Sequence, residues 1–115
     1  MSVRIQVREI NGVSVITCSG QIILGASSTE FRNTFRELIQ HGSKKLVIDL
    51  GDVTYLDSTG IGELVGAYTN AYNAKAVVKL SRLPEKIYNL LQITKLVTVF
   101  EIHVDEAAAI SSFRD

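Results

Sequence analysis

Two short and almost continuous apolar runs constrain the fold of this chain most strongly, residues 45–50 (KLVIDL) and 75–80 (KAVVKL). Runs of this length are typical of strands that are buried on both faces, as in a parallel sheet. The segment between them has helical periodicity, and its expected apolar stripe is Ile61, Leu64, Val65, Tyr68 and Tyr72. Strand, helix and strand in this order predict parallel strands joined by a crossover helix.

The first twenty residues predict an antiparallel hairpin. Val3, Ile5 and Val7 alternate with polar residues, which is the period of a half-buried strand. Asn11-Gly12 then supplies a strong hairpin-turn signal. A second strand follows and is expected to close at Gly20.

Three further helices are expected. Ser27 and Glu30 have the spacing of a capping box, and the helix that they open should end at Gly42. Pro84 marks the first turn of another helix, and Asp105 can cap the last one. The residues expected to face inward in the first and third of the four helices are Phe31, Phe35, Leu38, Ile39, Ile87, Leu90 and Leu91.

Residues 97–102 (VTVFEI) predict a last short strand or extended segment. The predicted order is therefore β-β-α-β-α-β-α-β-α. We expect a single α/β domain over residues 1–115, with a mixed four- to five-stranded sheet and about four helices. There is no internal repeat, linker or low-complexity tract.

Composition excludes several classes of function. The chain has 115 residues, and its twelve basic and twelve acidic residues cancel, which argues against direct nucleic-acid binding because phosphates require a basic surplus. The single cysteine, Cys18, cannot form an internal disulfide and is expected to fill the core. No apolar run approaches the roughly 18 residues of a membrane span, so we expect a cytoplasmic protein with no membrane partner.

Enzymatic readings fit the sequence poorly. Gly60, Gly62 and Gly66 resemble a dinucleotide fingerprint, but the spacing is one residue too long and no carboxylate follows at the ribose position. About ten residues also separate Leu50, the expected strand end, from the first glycine. A phosphoacceptor receiver would need an acidic pair for magnesium after its first strand, and this chain has none there.

The two histidines do not support a catalytic function either. Neither His41 nor His103 adjoins Asp57-Ser58, and with Cys18 they lack metal-ligand spacing. We therefore expect no enzymatic activity, no metal and no cofactor.

Asp57-Ser58 at the start of the second helix remains as a site that is acted upon. Either residue can serve as the N-cap. A phosphate on Ser58 would meet the positive end of the helix dipole, so the fold would tolerate it while the surface gains a charge of about −1.5 to −2. Gly60 and Gly62 are expected to leave the first turn uncovered, so that another protein can approach closely.

These residues resemble a known signature. After a buried strand that ends in Asp49-Leu50, the segment from Val53 to Gly62 reads VTYLDSTGIG. It is similar to the V-x-[FY]-hydrophobic-D-S-[ST]-G-[LI]-G pattern of STAS-domain proteins, specifically the bacterial anti-sigma factor antagonists. The resemblance covers essentially the whole chain.

The resemblance implies a phosphorylation switch. The unphosphorylated antagonist binds an anti-sigma factor, itself usually a serine kinase, and frees the sigma factor; a serine phosphatase reverses the phosphorylation. At the matching positions of this sequence, the resemblance implies that Ser58 is the phosphorylated residue. It also implies that the partner surface includes Asp57, Thr59, Gly60 and Gly62. Thr59 stays open as a second acceptor, and the protein is expected to be a monomer or weak dimer.

One departure concerns the loop from Gln21 to Ala26, expected beside this surface. The family often has an aspartate two or three residues after Gly20, whereas this chain has only Gln21 and apolar residues there. This difference leaves open a different anti-sigma kinase, a scaffold role in a stressosome-like STAS assembly, or a variant without functional meaning. A small nucleotide-binding or phosphotransfer domain is the alternative from another class.

Overall fold

The computed structural model describes residues 3–113, and these residues form a five-stranded mixed sheet with four α-helices, as expected. The strands are β1 (Val3–Ile10), β2 (Val13–Ile22), β3 (Lys45–Leu56), β4 (Val77–Ser81) and β5 (Ile102–His103). The helices are α1 (Ala26–Gln40), α2 (Ser58–Asn73), α3 (Glu85–Ile93) and α4 (Glu106–Ser111). One turn of 3-10 helix, Leu96–Thr98, precedes β5.

The sheet follows chain order, β1-β2-β3-β4-β5. β1 and β2 pair antiparallel through the predicted turn, where Asn11 and Gly12 both have positive φ, 54° and 80°. The other three pairings are parallel, because a helix returns the chain to the same end of the sheet after β2, β3 and β4. The carboxyl ends of β2 and β3 therefore lie side by side, with Ile22 opposite Leu56.

The main core lies between the sheet and helices α1, α2 and α3. Side chains alternate between the two faces of a strand, so Leu46, Ile48 and Leu50 of β3 enter this core. Val47 points to the opposite face, where it packs with Val13, Val15 and Ala109 of α4 in a smaller cluster. Cys18 is fully buried in the main core, as expected.

The expected apolar stripe of α2 is wrong in part. Leu64 is buried, but Val65, Tyr68 and Tyr72 are exposed at 41%, 36% and 72%. The buried positions of α2 are Gly60, Leu64, Ala67 and Ala71, so this helix packs closely through small residues. Tyr68 instead stacks on Tyr72 and makes a T-shaped contact with Phe100, a buried residue of the main core.

Two strand ends differ from the prediction. β2 continues past Gly20 to Ile22, because Gly20, at φ 98°, lies at an irregularity of the β2–β3 register and bends the strand instead of ending it. β3 runs to Leu56, well beyond Leu50. The expectation that about ten residues separate the strand end from the first glycine is therefore wrong, and it no longer argues against a dinucleotide fingerprint. The unsuitable glycine spacing still does.

The last expected strand is also shorter. Val97 and Thr98 belong to the 3-10 turn, and only Ile102 and His103 pair with β4. Asp105 caps α4 as predicted, since its Oδ1 accepts a hydrogen bond from the backbone N–H of Ala108 at 2.8 Å.

The predicted capping box at Ser27 is wrong. α1 begins at Ala26 with Gly25 as its N-cap, so Ser27 lies inside the first turn and is buried. Its Oγ accepts from Ile23 N at 2.9 Å and donates to Ile23 O at 3.0 Å. The hydroxyl thus folds back on the preceding loop, a local bond that competes with capping.

Candidate functional site

The candidate site lies where the carboxyl ends of β2 and β3 meet the N-terminus of α2. In an open α/β sheet this edge is where functional residues gather, because the loops after parallel strands converge there. Asp57 leaves β3 in an extended conformation, and Ser58 is the first residue of α2. Leu24, in the loop after β2, lies directly beside them.

Asp57, rather than Ser58, is the N-cap of α2. Its Oδ1 accepts a hydrogen bond from the backbone N–H of Gly60 at 2.8 Å, which is the usual capping contact. Its Oδ2 accepts from the backbone N–H of Leu24 at 2.9 Å. Asp57 therefore joins the helix to the loop that follows β2.

These backbone donors also determine the charge of Asp57. The N–H groups of Leu24 and Gly60 stabilise the carboxylate and hold the pKa of Asp57 below its ordinary value. Asp57 is consequently ionised at neutral pH. A negative charge is thus already present beside the Ser58 hydroxyl.

Ser58 and Thr59 differ in accessibility. Ser58 is exposed at the first position of the helix, whereas Thr59 is half-buried in the same turn. A second protein reaches the Ser58 hydroxyl more easily than that of Thr59.

The two glycines of the first turn have opposite roles. An added Cβ at Gly60 would lie 2.1 Å from the carbonyl oxygen of Ile22, so Gly60 is required for α2 to pack on the end of β2. The expectation that Gly60 leaves the backbone uncovered is therefore wrong. Gly62 is exposed and has nothing within 4 Å of such a Cβ, as expected for an open surface position.

The loop beside the site is less uniformly apolar at its surface than its sequence indicates. Ile22 is completely buried and Ile23 is half-buried, so these two side chains serve the fold. Leu24 points into solvent and is 77% exposed. Sequence reasoning identified the loop but had no signal for the bond between Leu24 and Asp57, because that contact joins residues 33 positions apart.

Other candidate groups lie elsewhere. His41 caps the carboxyl end of α1, and His103 lies in β5, where its Nε2 is 2.6 Å from Oε2 of Glu101. Within residues 3–113, the His, Cys, Asp and Glu side chains form no group of three that could hold a metal. No helix in this described part is long and apolar enough to cross a membrane.

Comparison with known proteins agrees with this architecture. The STAS domain family model matches residues 4–109. The chain belongs to the STAS domain family. Its five-stranded mixed sheet and four helices are thus those of a STAS domain.

Relatives of similar sequence carry a common name. The anti-sigma-B factor antagonist of Listeria monocytogenes is 39% identical over 57 residues, and this match spans about half the length of each protein. The anti-sigma-B factor antagonist of Bacillus subtilis is 29% identical over 102 residues, or 89% of this STAS domain and 92% of the relative.

Solved structures share the fold. An anti-sigma factor antagonist from Mycobacterium paratuberculosis superposes with a TM-score of 0.89 at 23% identity, covering 99% of this chain and 96% of the other. The Bacillus cell fate determinant SpoIIAA in its phosphorylated form gives a TM-score of 0.77 at 17% identity, with coverage of 96% and 100%.

Proposed function

We propose that this STAS domain is an anti-sigma factor antagonist that is switched off by phosphorylation of Ser58. Its unphosphorylated form binds an anti-sigma factor that is also a serine kinase, and so frees a sigma factor for transcription. A serine phosphatase restores the active form. The domain acts by binding rather than by catalysis, in the cytoplasm where these partners work.

The exposed Ser58 hydroxyl at the N-terminus of α2 carries this proposal. In the reaction, Ser58 Oγ bonds to the γ-phosphorus of ATP, its proton leaves, and the bond from that phosphorus to the bridging oxygen breaks to release ADP. The 16-residue helix stabilises the new anion through its dipole and its free N–H groups, so the fold accommodates it.

The same phosphate opposes binding of the partner. It adds a charge of about −1.5 to −2 next to the ionised Asp57. The unmodified Ser58 and the nearby Gly62 are exposed, small and uncharged. Enclosing this charge in a protein interface is costly unless the partner supplies cations to pair with it. We therefore place the partner surface at Asp57, Ser58, Thr59 and Gly62. Gly60 is buried beneath it, where it allows α2 to pack on the end of β2.

Mass spectrometry of the protein purified from its own cells, with and without phosphatase treatment, tests the switch. We expect phosphate on Ser58. The kinase is then identified as the protein that transfers phosphate from ATP to Ser58, and its affinity is measured for wild type, Ser58→Ala and Ser58→Asp.

Ser58→Ala should bind this kinase like wild type without responding to ATP, and Ser58→Asp should bind at least tenfold more weakly. Equal affinity for the two variants would contradict the switch. A Ser58 that stays unmodified under all growth conditions would instead favour a scaffold subunit of a STAS signalling assembly.

A further inference from the structure

Leu24 is the most exposed large side chain beside Ser58, at 77%. A single exposed leucine is common on protein surfaces and by itself indicates nothing. Here, however, its backbone N–H donates to Asp57 Oδ2 at 2.9 Å, and Asp57 is the residue that precedes Ser58. The position of Leu24 is thus tied directly to the start of α2.

Hydrogen bonds hold the loop backbone on both sides of Leu24. Ser27 Oγ bonds both the N–H and the carbonyl of Ile23, as described above. Ser28 Oγ donates to the carbonyl of Gly25 at 3.0 Å, and Ser28 N donates to the carbonyl of Ile23 at 3.2 Å. Because the backbone on both sides of Leu24 is held, the backbone that presents this side chain to solvent has little conformational freedom left to lose on binding.

The charges at this point indicate what kind of surface would receive Leu24. Both carboxylate oxygens of Asp57 already accept backbone N–H bonds from this chain. The group offered to a partner here is therefore the Leu24 side chain, rather than an Asp57 carboxylate that requires a cation. A shallow apolar pocket on the partner matches it, in the way that apolar anchors fill pockets at the centre of other interfaces.

We propose that Leu24 is the apolar anchor by which the Ser58 surface binds its kinase, and that Asp57 couples the position of Leu24 to phosphorylation of Ser58. This inference rests on the proposed function. A phosphate on Ser58 repels the adjoining carboxylate and competes with it for the N–H groups of the first turn. Asp57 then loses its bond to Leu24 N–H, and the anchor is no longer held in place.

Amide hydrogen exchange measured by NMR tests the coupling without any partner. The samples are the wild-type protein and the same chain carrying phosphoserine at position 58. We expect exchange of the Leu24 amide to rise at least tenfold on phosphorylation. The matched control is the Ala108 amide, which donates to the N-cap Asp105 at 2.8 Å and should not change. Equal Leu24 exchange in the two samples would overturn the coupling.

Affinity for the kinase that phosphorylates Ser58 tests the anchor. Leu24→Ala should weaken binding about tenfold or more. Ile93→Ala is the control, because Ile93 is 78% exposed but lies at the end of α3. If Leu24→Ala binds like wild type while Ser58→Asp does not bind, the anchor is refuted and the switch stands. If Ser58→Asp binds like wild type, the proposed function itself fails.

Discussion

Gly60→Ala tests whether α2 starts in direct contact with the end of β2. In the interior of an exposed helix, glycine to alanine normally stabilises a protein by about 1 kcal/mol. At Gly60 the added methyl would lie 2.1 Å from Ile22 O, 3.1 Å from Ile22 C and 3.2 Å from Leu56 Cδ2. The methyl must retreat from the carbonyl oxygen by roughly 1 Å to reach an ordinary contact distance.

The obstacle at Gly60 is rigid. Ile22 belongs to β2 and is fully buried, so its carbonyl cannot move aside as a flexible side chain would. Overpacking of this kind costs about 1–3 kcal/mol. We therefore expect Gly60→Ala to lower the free energy of unfolding by about 1–3 kcal/mol.

Gly62→Ala is the matched control in the same helix. Its Cβ would meet nothing within 4 Å. The substitution should therefore raise the free energy of unfolding by up to about 1 kcal/mol, by helix propensity and a less flexible unfolded chain.

Urea denaturation measures the difference between the two variants. The two variants differ by about 1–4 kcal/mol, and with a typical urea dependence of about 1–3 kcal/mol per molar their midpoints should separate by roughly 0.3–4 M, with Gly62→Ala the higher. A Gly60→Ala variant as stable as Gly62→Ala would refute the close contact between α2 and Ile22.

Three further predictions follow from other contacts. Burial raises the pKa of the Cys18 thiol to about 12, so Ellman's reagent at pH 8 should react with it only in urea; rapid modification of the native protein would contradict this burial. Ser27→Ala leaves the Ile23 N–H without its partner and should cost about 1–3 kcal/mol in thermal or urea unfolding, whereas the same change at exposed Ser111 should cost less. Hydrogen bonds from Lys79 and His103 lower the pKa of Glu101, so its contribution is present above its ordinary pKa of 4.5 and disappears as the pH falls through the lowered value. Glu101→Gln should therefore be slightly less stable than wild type at pH 7, and the difference should shrink as the pH falls below 4.5; a difference that does not shrink with falling pH would exclude this ion pairing.

Local patterns predicted most of the fold. The apolar run at residues 45–50 entered a buried central strand, Asn11-Gly12 formed the hairpin turn, and Asp105 capped α4. Each of these signals acts over a few residues, since strand burial, turn conformation and capping depend on neighbouring positions. The Asp57-Ser58 helix start was predictable for the same reason.

Some local patterns were misleading because tertiary packing outweighed them. Tyr72 has the correct helical spacing for the core but is 72% exposed, because α2 approaches its neighbours through Ala67 and Ala71. Ser27 has the spacing of a cap, yet the N-cap of α1 is Gly25, two residues earlier, and the Ser27 hydroxyl bonds Ile23. In both cases the surroundings of the helix decided which of two locally acceptable arrangements formed.

The sequence by itself determined the order of elements, the helix that begins at Asp57-Ser58 and the family signature that they carry. Only the tertiary structure decided that Gly60 is a packing residue while Gly62 is open, and that Asp57 holds Leu24 as well as α2. These distinctions arise where β2 and β3 end side by side. Contacts across that junction join residues more than thirty positions apart, and no periodicity or spacing within one segment records them.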